Sequence, residues 1–151
     1  MHQEYVRPAE IRDAHALAAD MRPHDMEECR AFGREPLEAL LFPFLARQQT
    51  FTITDEQDTV YAMFGVTDGI TFGCPWMLTS NKFHKVAKPF AQQSIRWFNL
   101  MTKDYAYLQN LVSHNNRVAH RWLRHLGFTI ETSQPEIHGG VTFYRFWRSN
   151  V

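Results

Sequence analysis

The sequence has few of the residues that hold metals, form disulfides or cross a membrane. Its two cysteines, Cys29 and Cys74, match neither a zinc-site spacing nor a Cys-x-x-Cys motif, so we expect both to be reduced. The 8 histidines do not group with carboxylates, and His120 and His125 would point to different faces of a helix, which predicts no metal site. No apolar run reaches the roughly 18 residues that a membrane-spanning helix needs, and the polar N-terminal segment is unlike a secretory signal.

The net charge is zero, but the charged residues are unevenly distributed along the chain. Residues 1–70 contain 6 Lys or Arg and 13 Asp or Glu, whereas residues 71–151 contain 10 and 3, so the halves carry −7 and +7. A basic half suits an anionic ligand, and an acidic half suits a cationic substrate or a basic partner. The alternative is that two solvated faces simply attract each other. Zero net charge without an aromatic–basic repeat argues against nucleic-acid binding.

The length of 151 residues and the 44% hydrophobic content predict one domain, residues 1–151, with a dense core. Hydrophobic periodicity predicts the order β, α, α with a further short helix, β, β, β, α, β, α, β, β. The predicted strands are residues 5–6, 51–54, 59–66, 70–79, 105–112, 128–131 and 141–147. Pro8 suits the first position of the first helix, and Asp25-x-x-Glu28 reads as a capping box for the second helix, closed at Gly33.

The most informative stretch is residues 116–128, which follows a predicted strand. Its apolar residues recur three and four apart, as on one side of a helix, and Gly127 stands where that helix would stop in the left-handed conformation. This unit resembles the late half of the acetyl-CoA-binding core of the GNAT acyltransferases, whose pattern is Asn-x-x-Ala-x-x-(Leu/Trp)-Tyr-x-x-x-Gly-Phe. The chain departs from that pattern at Leu123, where the family usually has tyrosine. It matches at Asn116, Ala119, Trp122, Gly127 and Phe128.

The predicted element order matches the GNAT order across essentially the whole chain. The resemblance implies an α/β (α+β) fold with a central mixed, mostly antiparallel sheet flanked by helices. It also implies that two central strands, ending near Leu78 and Val112, splay apart to hold acetyl-CoA. In this arrangement the thioester lies in the gap and the phosphates lie over basic side chains. Bulky side chains filling the gap, or acidic groups at its mouth, would contradict it.

The glycine-rich (Gln/Arg)-x-x-Gly-x-(Gly/Ala) segment, with which the family binds the pyrophosphate, is absent. In its place, residues 79–89 offer hydroxyls, an amide and three lysines, which could hold an anion or simply form a surface loop. Arg117, Arg121 and Arg124 form one helical stripe, which could reach the phosphates or be a solvated face. The resemblance thus implies as cofactor-binding residues Met77, Leu78, Thr79, Ser80, Asn81, Lys82, Lys85, Asn116, Arg117 and Arg121.

The missing tyrosine matters because in many family members it protonates the departing CoA thiolate, which Leu123 cannot do. The nearest substitutes in the sequence are Ser113 and His114, although His114 could equally be an ordinary turn residue. No carboxylate lies on the strand before Thr79, where the family often has a general base. The acidic residues Asp25, Glu27 and Glu28 fall where the family binds its substrate and could bind an amine, although helix capping explains two of them equally well.

Four segments together resemble a narrower group, the small GNAT-like proteins of short-tailed lytic phages, some of which are small internal virion proteins. The segments are residues 24–36, 62–66, 75–79 and 116–128. That group commonly has leucine in place of the tyrosine and also lacks the glycine-rich loop. The resemblance implies a phage protein that acts in the cytoplasm of the infected host bacterium.

Two functions follow as hypotheses. The first is a phage-encoded, acyl-CoA-dependent N-acetyltransferase, in which an amine of a host protein or a small molecule attacks acetyl-CoA directly. The second is a catalytically inactive GNAT-fold scaffold that binds a host enzyme or assists virion assembly. The last predicted strand, with Phe143, Phe146 and Trp147, could pair across a homodimer or simply complete the core.

Overall fold

The computed structural model describes residues 5–150, which form the predicted order of strands and helices. The strands are β1 (Tyr5–Pro8), β2 (Thr50–Thr54), β3 (Ala62–Asp68), β4 (Gly73–Thr79), β5 (Tyr107–Ser113), β6 (Thr129–His138) and β7 (Val141–Ser149). The helices are α1 (Ile11–Ala18), α2 (Pro23–Ala31), α3 (Pro36–Leu45), α4 (Ala87–Thr102) and α5 (Arg117–His125), and a 3₁₀ turn at Phe83–Lys85 precedes α4.

The strands form one sheet in the order β1-β2-β3-β4-β5-β7-β6. All neighbouring strands are antiparallel except β4 and β5, which run parallel and pair only at Gly73 and Leu108. Beyond that pair the two strands part toward Thr79 and Ser113, with one side-chain link, from Asn110 Nδ2 to the Pro75 carbonyl at 3.0 Å. The predicted mixed, mostly antiparallel sheet with splayed central strands is therefore confirmed.

Helices cover both faces of the sheet because side chains alternate along each strand. Met63 and Leu78 point to one face and pack with α1, α2 and α3. Phe64 and Met77 point to the other face and pack with α4 and with Trp122 of α5. The gap between β4 and β5 thus lies at the centre of the molecule, with helices above and below it. None of the helices in residues 5–150 has both the length and the apolar character needed to cross a bilayer.

Helix α5 follows its sequence pattern closely. The Asn116 side chain caps its N-terminus by accepting a hydrogen bond from the Ala119 amide at 3.4 Å. At the other end Gly127 has a φ of 88°, and the Phe128 amide donates to the Leu123 carbonyl at 3.0 Å. These bonds form a Schellman motif, which confirms the helix end predicted at Gly127.

Several local predictions were wrong. Pro8 lies in β1 opposite Phe51, and α1 begins at Ile11 behind a capping box formed by Glu10 and Asp13. Helix α2 begins at Pro23 with Arg22 as its N-cap, so Asp25 and its partner in the predicted box do not cap it. Strand β6 continues to His138 through an irregularity between Glu131 and Glu136, which a short apolar pattern could not reveal.

Strand β7 is hydrogen-bonded on both sides, to β5 and to β6. It therefore has no free edge with which to pair across a dimer. Phe143 is fully buried and Phe146 nearly so, which agrees with the alternative that this strand completes the core.

Candidate functional site

A cavity of about 720 Å³ occupies the region where β4 and β5 part. It crosses the sheet, because its lining includes Trp76 and Leu78 from one face and Met77, Phe90 and Ser94 from the other. Its volume lies in the range of roughly 300–1,000 Å³ that is typical of small-molecule sites. The chain's own bulky side chains therefore do not fill the gap, although Trp122 borders it and donates a hydrogen bond from its indole nitrogen to Ser94 Oγ at 3.2 Å.

One face of α2 forms the wall of the cavity on the first side of the sheet. Asp25, Glu28, Cys29 and Phe32 are spaced three, four and seven residues apart and all line the cavity. Asp25 is 3% exposed, and its Oδ2 accepts hydrogen bonds from the Thr79 amide at 2.8 Å and the Thr79 hydroxyl at 2.6 Å. Asp25 thereby occupies the free edge of β4 where β5 has turned away.

Glu28 does the same for β5, one helical turn further on. Its Oε1 accepts hydrogen bonds from the Ser113 amide at 3.1 Å and from Asn116 Nδ2 at 3.0 Å. Burial raises the pKa of Glu28, and the neighbouring charge of Asp25 acts in the same direction, while the bonds from Asn116 and Ser113 partly oppose the rise. The result is a carboxyl group in the cavity that is a stronger proton acceptor than an ordinary glutamate.

Asn116 joins this pair to α5 and to Arg22. Its Oδ1 accepts from Arg22 Nη2 at 2.9 Å while it also caps α5, and its Nδ2 donates to Glu28. Arg22 Nη2 in turn contacts Asp25 Oδ1 at 3.2 Å. Arg22 Nε is buried without a hydrogen-bond partner among the described residues. The polar atoms of Asn116 are thus committed to holding a carboxylate, an arginine and a helix end in fixed positions.

The free edge of β4 also offers backbone groups to the gap. The Thr79 amide donates to Asp25, and the Thr79 and Pro75 carbonyls accept from the Arg22 amide and from Asn110, all on the side away from β3. Because backbone groups alternate along a strand, the N–H and C=O of Met77 face the same side. The Met77 groups lie between Pro75 and Thr79, whose outward-facing backbone groups are already hydrogen-bonded, and they point toward the cavity.

Basic groups lie on the opposite side of the sheet, beside α4 and α5. Lys88 and Arg121 line the cavity, and neither has a carboxylate within 4.0 Å in residues 5–150. In the first turn of α4 the amides of Ala87 and Lys88 have no backbone partner among the described residues, while Pro89 has no amide hydrogen. A helix N-terminus with free amides and a lysine attracts anions. The cavity is therefore acidic on the α2 side and basic on the α4 side.

Five of the ten predicted cofactor residues line the cavity, namely Met77, Leu78, Thr79, Asn116 and Arg121. The other five do not. Ser80 is 1% exposed, Asn81 and Lys82 bind Asp20, and Lys85 and Arg117 are exposed outside the lining. A role for these five stays a prediction.

The two predicted proton handlers lie outside the lining as well. Ser113 is fully buried and its hydroxyl donates to Asn115 Oδ1 at 3.3 Å, while its amide binds Glu28. His114 is exposed, with Nδ1 3.3 Å from the Thr142 carbonyl. Among the predicted substrate residues, Asp25 and Glu28 line the large cavity, and Glu27 instead borders a separate, smaller cavity between α2 and the β6–β7 turn.

Sequence reasoning missed Arg22, Phe32 and Lys88 as lining residues. The 25-28-29-32 spacing was a usable signal, since it places two acids, a cysteine and a phenylalanine on one helical face. Nothing in the sequence marked Lys88 over its neighbours Lys82 and Lys85. Within residues 5–150 no group of three or more His, Cys, Asp or Glu side chains is arranged to hold a metal ion.

No protein-family model matches the chain, and neither does any curated protein. Solved structures do match it over nearly its whole length. A GCN5-related N-acetyltransferase from Kribbella flavida is 20% identical, with 97% of each chain covered and a TM-score of 0.67. The spermidine N-acetyltransferase from Vibrio cholerae, solved in complex with CoA and spermine, is 16% identical, with 97% of this chain and 95% of that chain covered and a TM-score of 0.67.

A GNAT-family acetyltransferase from Streptococcus pneumoniae is 17% identical, with 97% of this chain and 99% of that chain covered and a TM-score of 0.64. The chain therefore has the GNAT fold, as the sequence predicted. At these identities the similarity establishes the architecture and leaves the chemistry to the residues of the cavity.

The raised pKa of Glu28 has a measurable consequence for stability. A carboxyl whose pKa is higher in the folded than in the unfolded chain stabilises the fold while protonated, and this contribution is lost as pH rises through the folded-state value. We expect the wild type to lose free energy of unfolding relative to Glu28→Gln as the pH rises from about 4 to about 8. Urea unfolding across this range measures it, with the exposed Glu56→Gln as the control. A constant difference between wild type and Glu28→Gln, or a trend of opposite sign, contradicts this assignment.

Proposed function

We propose that this protein is an acyl-CoA-dependent N-acetyltransferase, which holds acetyl-CoA on the α4/α5 side of the sheet and receives an amine on the α2 side. The observation that carries the proposal is the polarity of the cavity through the sheet. Its basic end, with Lys88 and Arg121, suits phosphates, and its acidic end, with Asp25 and Glu28, suits an ammonium group. The two ends meet where β4 and β5 part, so the two reactants would meet there too.

The residues of this chain fit an acyl-CoA. The free amides of Ala87 and Lys88 at the start of α4, together with the Lys88 and Arg121 side chains, would hold the phosphates. The outward N–H and C=O of Met77 would pair with the amides of the pantetheine arm, as an added strand pairs with a sheet edge. The carboxylates that border the gap lie at the opposite end from these cations, so they do not repel the phosphates. The spermidine N-acetyltransferase neighbour, solved with CoA, supports this choice of ligand.

Glu28 is the proposed general base. Acetyl-CoA supplies a thioester carbonyl carbon as electrophile. Glu28 takes one proton from the ammonium group, and the freed nitrogen lone pair forms the new C–N bond as the C–S bond breaks. The second proton of the nitrogen passes through solvent to the departing thiolate, so the products are an amide and free CoA, while Glu28 returns its proton to water. A raised pKa suits this role, because a base works best when its pKa lies near the working pH.

Leu123 lines the cavity, so the position where the family usually has tyrosine is within the site and apolar. A thiol has a pKa of about 8.5, which makes its thiolate a fair leaving group without an acid in contact with it. The loss of the tyrosine therefore slows the proposed reaction without preventing it.

The sequence resemblance extends the proposal to a biological setting. It supports a phage-encoded enzyme whose acceptor is an amine of a host protein or a small host molecule in the bacterial cytoplasm. The second candidate is the inactive scaffold. Leu123 favours it, and so does the fact that Asp25 and Glu28 already occupy the strand edges at one end of the gap. The two candidates differ in whether acetyl-CoA binds and in whether it is consumed.

Binding of the donor should stabilise the fold. At about 100 times its Kd, acetyl-CoA should raise the free energy of unfolding by about 2.7 kcal/mol, which a thermal shift assay detects. No shift at millimolar acetyl-CoA would favour the scaffold. If an unrelated polyanion produced an equally large thermal shift, the stabilisation by acetyl-CoA would reflect charge attraction and not a specific site.

Two double variants, each removing two positive charges, locate the phosphates. Lys88→Ala with Arg121→Ala should weaken acetyl-CoA binding about tenfold, which reduces the stabilisation by about 1.4 kcal/mol. Lys82→Ala with Lys85→Ala tests the assignment made from sequence, and we expect a smaller loss because Lys82 is paired with Asp20 at 3.4 Å. The reverse ranking would move the phosphates to the 3₁₀ turn.

Turnover should depend on Glu28. Glu28→Gln keeps an oxygen for Ser113 and Asn116 but cannot take a proton, so we expect kcat to fall by about 10²–10⁴-fold and the acidic limb of the pH–rate profile to disappear. Release of free CoA thiol from acetyl-CoA in the presence of an amine measures the rate. Glu56→Gln, an exposed turn residue, should behave as wild type. Retention of both rate and pH profile in Glu28→Gln would exclude Glu28 as the base.

A further inference from the structure

Resting on the proposed function, we infer that the acceptor is a small monoamine carried on an aromatic group, rather than a polyamine, an amino acid or a protein lysine. Two features of the α2 side of the cavity support it, namely the pairing of its carboxylates and the aromatic side chains beside them. Glu28 and Phe32 lie about one turn apart at the C-terminal end of α2.

Of the two carboxylates that line that side, only Glu28 lacks a cationic partner in residues 5–150. Asp25 is already engaged by the Thr79 amide and hydroxyl and by Arg22, at 2.8, 2.6 and 3.2 Å. Glu28 accepts hydrogen bonds from Asn116 and Ser113, but it has no ion-pair partner in the described part of the chain. Arg22 adds a positive charge to the same side. A polyamine needs several free carboxylates, so this arrangement suits a single ammonium group.

The positive charge of Arg22 is already paired with Asp25, although its Nε has no hydrogen-bond partner among the described residues. Its Nη2 is shared between Asp25 and Asn116, at 3.2 and 2.9 Å. The carboxylate of an amino acid would lie close to the carboxylates of Asp25 and Glu28, while the one cation on that side of the described lining is already paired with Asp25. An acceptor without a carboxylate avoids that repulsion.

The rest of the α2 side is aromatic and apolar. Phe32 is 49% exposed although it lines the cavity, and its ring packs on the buried ring of Phe143 at a centroid distance of 5.0 Å and an angle of 51°. Trp76 and Leu78 continue this wall. An exposed phenylalanine backed by a second ring offers edge and face contacts to an aromatic ligand.

The spacing joins the two features. Phe32, the C-cap residue of α2, follows Glu28 by four residues, and residues with this spacing on a helix have Cβ atoms about 5–6 Å apart. A ring lying on Phe32 and an amine at Glu28 can therefore belong to one small molecule with a short alkyl linker between them. Glu28 would take the ammonium proton, the C–N bond would form as the C–S bond breaks, and the products would be an N-acetylated arylalkylamine and free CoA.

The test measures release of free CoA thiol at saturating acetyl-CoA with three amines, 2-phenylethylamine, spermidine and Nα-acetyl-lysine amide. Phenylalanine serves as a fourth compound because it is 2-phenylethylamine with an added carboxylate. We expect kcat/KM for 2-phenylethylamine to exceed each of the others by at least about tenfold. Phe32→Ala should raise KM for 2-phenylethylamine about tenfold while leaving KM for acetyl-CoA unchanged, and Phe32→Tyr should restore it. Phe42→Ala, an exposed phenylalanine on α3 outside the cavity lining, is the matched control.

The outcomes separate this inference from the proposed function. Preference for spermidine, phenylalanine or the lysine derivative overturns the inference and leaves the acetyltransferase intact, as does an unchanged KM for 2-phenylethylamine in folded Phe32→Ala. Binding of acetyl-CoA without acetylation of any of these amines overturns the inference as well. Absence of acetyl-CoA binding overturns the proposed function, and the inference with it.

Discussion

The parting of two parallel strands after a single hydrogen-bonded pair, Gly73 with Leu108, is the constraint on which the site depends. Backbone N–H and C=O groups in a protein interior need partners, and two strands that separate leave a row of such groups unpaired on each edge. In this chain, side chains supply hydrogen-bond partners for these backbone groups. Asp25 binds the edge of β4, Glu28 binds the edge of β5, and Asn110 bridges the two strands at Pro75.

The same hydrogen bonds make the two sides of the gap differ in charge. Because both capping carboxylates come from α2, all the negative charge at the gap lies on one side of the sheet. The cations of α4 and α5 lie on the other side, and Lys82 with Asp20 is the one ion pair in residues 5–150 that joins the acidic and basic halves of the sequence. The alternative that the two halves exist to attract each other therefore has little support in the contacts. The separation fits the proposed function, in which two ligands of opposite charge meet in the gap.

Much of the fold follows from local sequence patterns. The α5 unit was predictable because its N-cap, its apolar stripe and its left-handed glycine are all within thirteen residues of each other. Pro8 was misplaced because a proline fits the first position of a helix and an edge strand equally well. The parting of two central strands was predictable only through the resemblance to a known fold, since periodicity predicts elements and not which of them are neighbours.

The site was harder to predict because its bonds are distant in sequence. Asp25 binds a residue 54 positions away, and Glu28 binds one 85 positions away. Locally the two acids are indistinguishable from a capping box, so helix capping and amine binding were equally supported. Only the folded structure shows that Arg22, and neither acid, is the N-cap residue of α2 and that both carboxylates face the gap. For the same reason the sequence could not show which of Lys82, Lys85 and Lys88 lines the cavity, because a lysine-rich turn does not reveal which side chain reaches it.

The most direct test of this account is an amide-resolved NMR titration of the protein with CoA, which lacks the acyl group and cannot turn over. The account predicts that the largest shifts fall on Met77 at the open edge of β4 and on Ala87 and Lys88 at the start of α4, with smaller changes at Ser113 across the gap. Shifts confined to surfaces away from β4 and α4, or no shifts at millimolar CoA, would contradict the claim that the parted strands form a site for an acyl carrier.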